Sequence, residues 1–151
     1  MRSYLVVIDE TGESRAALRY AARRASVEGG GVLVLAVAEP AEFVQWGGVQ
    51  AAMEEEARLR AEAMVLQASG AIMEEAGVEP VIIIRQGEAE KAVADLLAER
   101  DDLCALVLGA ATDGQPGPLV SHFSGTVAGT LRCPLIIVPG ALEAEAIDRL
   151  G

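Results

Sequence analysis

The residues best suited to binding chemistry lie in the loop over residues 110–124 and at its two ends. The pattern predicts a buried strand that ends at Gly109 and a short helix that begins around Gly125, with Ser124 or Thr126 as its cap. Backbone amides gather where a loop leads from a strand into the N-terminus of a helix, and there they favour phosphate or another anion. We therefore expect the first amides of this helix to face an anion.

The composition of this loop both favours and opposes a phosphate cradle. Gly114 and Gly117 allow the backbone to approach a ligand closely, because glycine has no Cβ. Pro116 and Pro118 lack the N–H groups that a cradle needs, and no lysine or arginine lies between residues 101 and 131. A bound phosphate would therefore depend on a divalent cation or on backbone amides alone.

Asp9 ends the first predicted strand, and ligands of open α/β sheets bind beyond the carboxyl ends of the strands. An aspartate there binds a ribose hydroxyl, a base amino group or a metal, or it accepts hydrogen bonds from the amides of its own turn; both readings stay open. Asp9 and Glu10 also resemble the acidic pair of a phosphorylated receiver domain. We exclude receiver chemistry, because Arg85 and Pro139 stand where it requires an aspartate after the third strand and a lysine after the fifth.

The other reactive side chains favour structural roles. His122 is the only histidine, and no nucleophile or second ligand stands beside it. Cys104 and Cys133 match no metal-ligand spacing, so we expect two small buried thiols. Phe43 and Trp46, in the loop after the second strand, favour packing at the edge of the core over covering a ligand.

Apolar runs rich in β-branched residues alternate with helical segments along the whole chain. This order predicts one α/β domain, with an open five-stranded parallel sheet and helices on both of its faces. The predicted strands cover residues 4–8, 32–37, 81–84, 105–108 and 135–138, and the predicted helices cover 14–28, 50–76, 88–100 and 124–132.

The charge balance excludes several classes of partner. The chain of 151 residues has a formal net charge of −11. It would repel a nucleic-acid backbone and an anionic membrane surface, so we expect no nucleic-acid partner and no membrane partner. The apolar run at the start is too short for a signal peptide, and no segment approaches membrane-spanning length. These features predict a cytoplasmic protein.

Two segments taken together resemble the universal stress protein family, in its single-domain UspA type. At the front, VVIDETGESRAAL is similar to the family's opening strand, aspartate, small-hydroxyl turn and helix, with Asp9, Thr11, Ser14 and Leu18 in matching positions. At the back, ALVLG, then GT and then CPLIIVPG are similar to its fourth strand, helix start and last strand. The order and spacing of these pieces make the match specific over about residues 3–139. The resemblance implies a Rossmann-like fold of the adenine nucleotide alpha hydrolase-like kind.

The family divides into members that bind ATP and members that do not. Binders carry a glycine, two residues, a second glycine, nine residues, and then a glycine with Ser or Thr. Gly109 matches the first glycine, and Gly125 with Thr126 matches the last pair. Thr112 stands at the middle glycine, and twelve residues follow it where the family has nine. A register that starts at Gly114 fits no better.

Two principal hypotheses about function therefore stay open. The first is a stress-response regulator that binds ATP, with Mg or Mn, or another adenine nucleotide. The second is a module of the same family that binds no nucleotide and recognises a protein partner through its acidic surface. A third, a small hydrolase or transferase that uses His122 as acid or base, has less support, because no general base, nucleophile or metal cluster accompanies that residue.

The resemblance also implies which residues contact the nucleotide. Most of these residues stand at positions that match the family's motifs. The others lie in the loop after the fourth strand, where this chain departs from those motifs. On the nucleoside side they are Ile8, Asp9 and Val37; on the phosphate side they are Gly109, Gly125, Thr126 and Val127, with Thr112, Gly114 and Gly117 in the loop between.

The last strand is the expected contact between two copies of the chain. The family dimerises through its last strand, so the resemblance implies a homodimer through Leu135 to Val138, whose apolar edge would otherwise stay unpaired. The universal stress protein domain is expected over residues 1–140, followed by a C-terminal tail over 141–151.

Overall fold

The computed structural model of the chain describes residues 2–39 and 47–150, so the predicted roles of Phe43 and Trp46 fall outside the described residues. Strands and helices alternate along the chain as the apolar runs predict. The strands are β1 Ser3–Ile8, β2 Gly31–Ala38, β3 Val81–Gln86, β4 Leu103–Ala110 and β5 Leu135–Pro139. The helices are α1 Gly12–Glu28, α2 Gly47–Ala76, α3 Ala89–Glu99, α4 Pro118–Phe123 and α5 Ala144–Leu150, with a 3₁₀ turn at Ala128–Thr130.

All five strands are parallel and lie in the order β3-β2-β1-β4-β5, which confirms the predicted fold class. The chain builds outward from β1 through β2 to β3, and then returns to the other side of β1 for β4 and β5. The winding therefore reverses between β1 and β4, and the crevice at their carboxyl ends is where such sheets bind ligands. Receiver domains order their strands 2-1-3-4-5, so this topology agrees with their exclusion.

Helices cover both faces of the sheet, and the central strands are buried as a result. Leu5 and Val6, neighbours on β1 that point to opposite faces, are both fully buried. The helices α1, α2 and α5 pack on the face of Val6, while α3 and α4 pack on the face of Leu5. None of the helices in the described part of the chain is long and apolar enough to cross a bilayer.

The predicted helix over 124–132 is wrong, because the helix after the loop begins earlier. Pro118 opens α4, and its fixed φ suits the first helical position. Ser124 ends that helix instead of starting one, and its hydroxyl donates to the carbonyl oxygen of Val120 at 2.6 Å. Gly125 and Thr126 consequently lie after a helix C-terminus, in the turn that leads to the 3₁₀ segment. The helix dipole expected to favour an anion at these two residues is absent.

One glycine ends the first helix, and another lies inside the second. Gly29 ends α1 in the left-handed conformation, at φ 73°, and its N–H donates to the carbonyl of Ala25. The long helix α2 runs without interruption through Gly70. Within the predicted tail, α5 packs on α1 and buries Ile147 to 1% exposure.

Arg19 ties three helices together on the outer side of α1. Its Nε and Nη2 donate to the two carboxylate oxygens of Asp148 on α5, at 2.9 and 2.7 Å. Its Nη1 donates to Glu75 on α2 at 2.6 Å. This bidentate pair holds the pKa of the Asp148 carboxyl below its ordinary value of 3.8, because the guanidinium stabilises the charged form.

Replacing Arg19 with alanine should lower the melting temperature, because it removes both links from α1. Arg58→Ala is the matched control, since Arg58 pairs only with Glu55 and Glu62 of its own helix, and it should cost less. The stability difference between wild type and Arg19→Ala should be constant above about pH 5 and shrink as the pH falls below the ordinary Asp148 pKa of 3.8 and then through its lowered pKa in the folded protein. Thermal unfolding followed by circular dichroism from pH 7 to 3 measures both effects. Equal melting temperatures for the two variants at pH 7 would contradict the bridging role.

Candidate functional site

A cleft of about 520 Å³ opens at the carboxyl edge of the sheet, where the winding of the chain reverses. The ends of β1, β2 and β4 form its floor, and α2 forms one wall through Ala57, Ala61 and Met64. The loop after β4 and the start of α4 form another wall. Five of the residues predicted from the sequence line this cleft: Ile8, Asp9, Val37, Gly109 and Gly117.

The other five predicted site residues do not line the cleft. Two lie in the outer part of the loop, and three follow α4. Because α4 begins at Pro118, the residues that reach the cleft are 116–120, and the chain has left it before the expected glycine-hydroxyl pair. The ligand contacts assigned to this group stay predictions: Thr112, Gly114, Gly125, Thr126 and Val127.

Asp9 is both a turn aspartate and a cleft residue. Its Oδ1 accepts a hydrogen bond from the backbone N–H of Thr11 at 2.8 Å and another from the Thr11 hydroxyl. This turn leads into α1, where the Thr11 hydroxyl accepts from the backbone N–H of Ser14 and caps the helix. Among the described residues, none donates to Oδ2 of Asp9. One oxygen therefore holds the turn, and the second is available to a ligand.

The side chain of Ser14 holds the same turn through hydrogen bonds to its backbone. It is 3% exposed, and its hydroxyl donates to the carbonyl oxygens of Asp9 and Thr11, both at 3.0 Å. The backbone N–H of Asp9 returns a hydrogen bond to that hydroxyl at 3.3 Å. A buried hydroxyl with all its partners inside one turn fixes the carboxylate of Asp9 at the cleft.

Gly109 makes room for α1 to approach the sheet. A Cβ at this position would stand 2.0 Å from the carbonyl oxygen of Glu13. Gly140, just after β5, is similarly close, at 2.7 Å from the carbonyl oxygen of Ala110. The motif glycine at 109 therefore has a structural reason that holds with or without a ligand: it lets the first turn of α1 lie against β4.

The glycines and prolines of the loop after β4 serve its own geometry. The loop closes where the N–H of Ala111 donates to the carbonyl oxygen of Pro116 at 3.0 Å. Gly117 has φ 121° and ψ 152°, a conformation that only glycine adopts readily. Its carbonyl then accepts from the N–H of Ser121 and starts α4. This wall of the cleft is thus formed by a closed loop and a proline-initiated helix.

The charged residues of the cleft are mostly acidic. Among the lining residues that the structure describes, four are carboxylates and one, Arg60 on α2, is a cation. Arg60 is not among the residues predicted from the sequence, because no local pattern marks a helix residue about fifty positions after Asp9 as its neighbour in space. The guanidinium of Arg60 is 59% exposed and lies 3.3 Å from Glu56. The four carboxylates belong to Asp9, Glu10, Glu13 and Glu39.

A second cavity of about 800 Å³ adjoins the cleft. It runs along the outer face of α1 between α2 and α5, with Leu18, Ile72 and Ile147 among its lining residues. The two cavities share five lining residues, so they are continuous at the end of β1. The shared residues are Ile8, Asp9, Glu10, Arg60 and Met64.

The remaining reactive residues lie away from the cleft. The Nδ1 of His122 is 3.5 Å from Glu90 on α3, and its ring packs edge-on against Phe123. The two cysteines are free and half-buried, less buried than the sequence predicted, and burial raises the pKa of both the Cys104 and the Cys133 thiol. Within residues 2–39 and 47–150, no three His, Cys, Asp or Glu side chains group as metal ligands.

The fold is an α/β fold with a cleft at the switch point of its sheet, the place where sheets of this kind bind ligands. A model of the universal stress protein family matches residues 1–139 of the chain. The chain therefore belongs to the universal stress protein family, which confirms the resemblance found in its two terminal segments.

Solved structures with this fold include a universal stress protein UspA from Lactobacillus plantarum, which is 16% identical, with a TM-score of 0.75 over 91% of this chain and 97% of that one. A universal stress protein from Archaeoglobus fulgidus in complex with dAMP is 18% identical, with a TM-score of 0.63 over 91% of this chain and 98% of that one. A family protein from Arabidopsis thaliana with AMP bound is 12% identical, with a TM-score of 0.56 over 92% of each chain. No curated protein matches the chain.

Replacing Gly109 with alanine should destabilise the fold by about 1–3 kcal/mol, because the new methyl group must displace the first turn of α1. Gly129→Ala is the matched control, since no atom lies within 4 Å of a Cβ there and its φ is not positive. The control should change stability by less than about 0.5 kcal/mol. Urea unfolding of both variants measures the difference; a Gly109→Ala variant as stable as the control would refute the packing role.

Proposed function

We propose that this chain binds an adenine nucleotide in the cleft and acts as a stress-response regulator in the cytoplasm, with the bound state as its signal. The observation that carries the proposal is the position of Ile8, Asp9 and Val37, the three residues assigned to the nucleoside. All three line one cleft at the switch point of the sheet.

The cleft suggests an orientation for such a ligand. Ile8 and Val37 supply apolar surface at the ends of adjacent strands, suited to the faces of an adenine ring. The free oxygen of Asp9 lies beside them and suits a ribose hydroxyl, which donates to a carboxylate. The phosphate end then points towards Gly109, Gly117 and the start of α4. Two relatives were solved with the adenine nucleotides dAMP and AMP, which supports this class of ligand.

The residues of the cleft favour binding over turnover. His122, the candidate acid or base of a hydrolase, lies on the far side of α4 against Glu90 and lines no part of the cleft. The geometry therefore gives the hydrolase hypothesis no support. A module that binds no nucleotide remains the rival, and the ligand titration below decides between them.

Asp9→Asn should weaken AMP binding at least tenfold, because the amide loses the charge that strengthens a hydrogen bond to ribose. The substitution keeps an oxygen for the N–H of Thr11, so the turn should survive. Asp113→Asn removes a carboxylate that lines neither the cleft nor the adjoining cavity, and it is the matched control. Isothermal titration of wild type and both variants with AMP measures the effect. Wild-type protein that binds neither AMP nor ATP at millimolar concentration would support the interaction module instead.

We also propose that the chain forms a homodimer through β5. This strand lies at an edge of the sheet and pairs only with β4. Ile137 on it is 41% exposed, although isoleucine usually avoids water. An antiparallel contact between two copies of this strand would pair both edges and cover both isoleucines.

Ile137→Lys should yield a monomer, because it places a charge in that contact. Ile82→Lys is the matched control, since Ile82 is 38% exposed on β3 at the opposite edge of the sheet. Sedimentation velocity of the wild type and both variants reports the mass of the assembly. A monomeric wild type, or a dimer lost only in Ile82→Lys, would contradict assembly through β5.

A further inference from the structure

We infer that the cleft selects adenine ligands of low negative charge, and that it prefers adenosine and adenosine monophosphates to ATP. This inference rests on the proposed function and specifies the class of ligand. The carboxylates that surround the cleft, and the neutral residues at its phosphate end, carry the argument.

The charges of the lining residues oppose a polyanion. Among the described lining residues, Asp9, Glu10, Glu13 and Glu39 bring four carboxylates and Arg60 brings one guanidinium, a net formal charge of −3. Among the described residues, none of these four carboxylates forms an ion pair. Their charge therefore acts on whatever enters the cleft, and each additional phosphate increases the repulsion.

The phosphate end of the cleft supplies no compensating charge. Its wall consists of neutral residues from 116 to 120, and two of them, Pro116 and Pro118, have no N–H to donate. The turn at Gly125 and Thr126, which the resemblance assigns to the phosphates, lies outside the cleft lining. A triphosphate that extended along residues 116–120 would therefore meet few N–H donors and no cation on that wall.

The arginines nearest in sequence cannot reach this end. Arg100 precedes β4, so it lies at the amino ends of the strands, whereas the cleft lies at their carboxyl ends. It forms a bidentate pair with Asp102. Arg132 precedes β5, also at the amino ends of the strands, and donates to the carbonyl oxygen of Ala98. Arg60 is the cation on the wall of the cleft, and Glu56 lies 3.3 Å from it, while Arg15 and Arg23 line only the adjoining cavity along α1. Its position on the α2 wall suits one phosphate better than three.

The experiment is a titration of the full chain with adenosine, AMP and ATP, in EDTA and at low ionic strength, by isothermal titration calorimetry. AMP should bind at least ten times more tightly than ATP, which corresponds to about 1.4 kcal/mol. Raising the salt concentration should reduce the ratio of the AMP affinity to the ATP affinity, because salt screens exposed charges. ATP that binds as tightly as AMP in EDTA would overturn the inference.

Two charge-removing variants test the cause. Glu13→Gln and Glu39→Gln should each raise the affinity for ATP by a larger factor than the affinity for adenosine. Glu74→Gln, an exposed carboxylate on α2 that lines neither cavity, is the matched control and should change neither affinity. If both cleft variants behave like the control, the carboxylates do not set the selectivity and the inference fails.

The outcomes separate this inference from the proposed function. Binding of adenosine and AMP without any dependence on phosphate number would leave the nucleotide site intact and overturn the charge selectivity. If none of the three ligands binds, the nucleotide site itself is refuted, and the selectivity falls with it.

Discussion

The cleft depends on the close approach of α1 to the carboxyl ends of β4 and β5, with no side chain between the helix and the strands. Gly109 and Gly140 allow this approach, since a Cβ at either position would overlap the backbone around Glu13 or Ala110. The first turn of α1 can therefore lie directly beside the end of β1. That position brings the loop from Asp9 to Ser14 to the switch point of the sheet, where a ligand has access to it.

The polar groups of this loop are satisfied almost entirely within it. The Thr11 hydroxyl caps α1, and the buried hydroxyl of Ser14 joins Asp9 to Thr11 through their carbonyl oxygens. One oxygen of Asp9 belongs to this network, so the aspartate is held in place before any ligand arrives. A binding group that is ordered in advance loses little conformational entropy on binding. The role of Asp9 in holding the turn is therefore compatible with its proposed role in binding a ligand.

The sequence was sufficient for the sheet and for the nucleoside side of the cleft, because both follow from local patterns. Apolar runs specify parallel strands, and the residues at strand ends must meet at the carboxyl edge. It was insufficient after β4, where two helix starts compete within a few residues. Gly117 with Pro118 starts the helix, whereas Ser124 with Gly125 resembles a start but ends one. Arg60 was beyond local reasoning, since only the packing of α2 on β2 brings it to Asp9.

The electrostatics of the cleft follow from how an acidic chain distributes its few cations. Arginines such as Arg19, Arg58 and Arg100 are held by carboxylates on the helices or beside the strands, so they stabilise the surface and neutralise no ligand. The loop after β4 departs from the family's glycine motif, and its residues 116–120 bring to the cleft two prolines without an N–H and no cation. If the cleft binds a nucleotide as proposed, its nucleoside end keeps the residues assigned to that contact, while its phosphate end offers few donors to a polyphosphate. On the proposed function, the charge of the cleft walls and the start of α4 are the features that would make this chain prefer one adenine ligand to another.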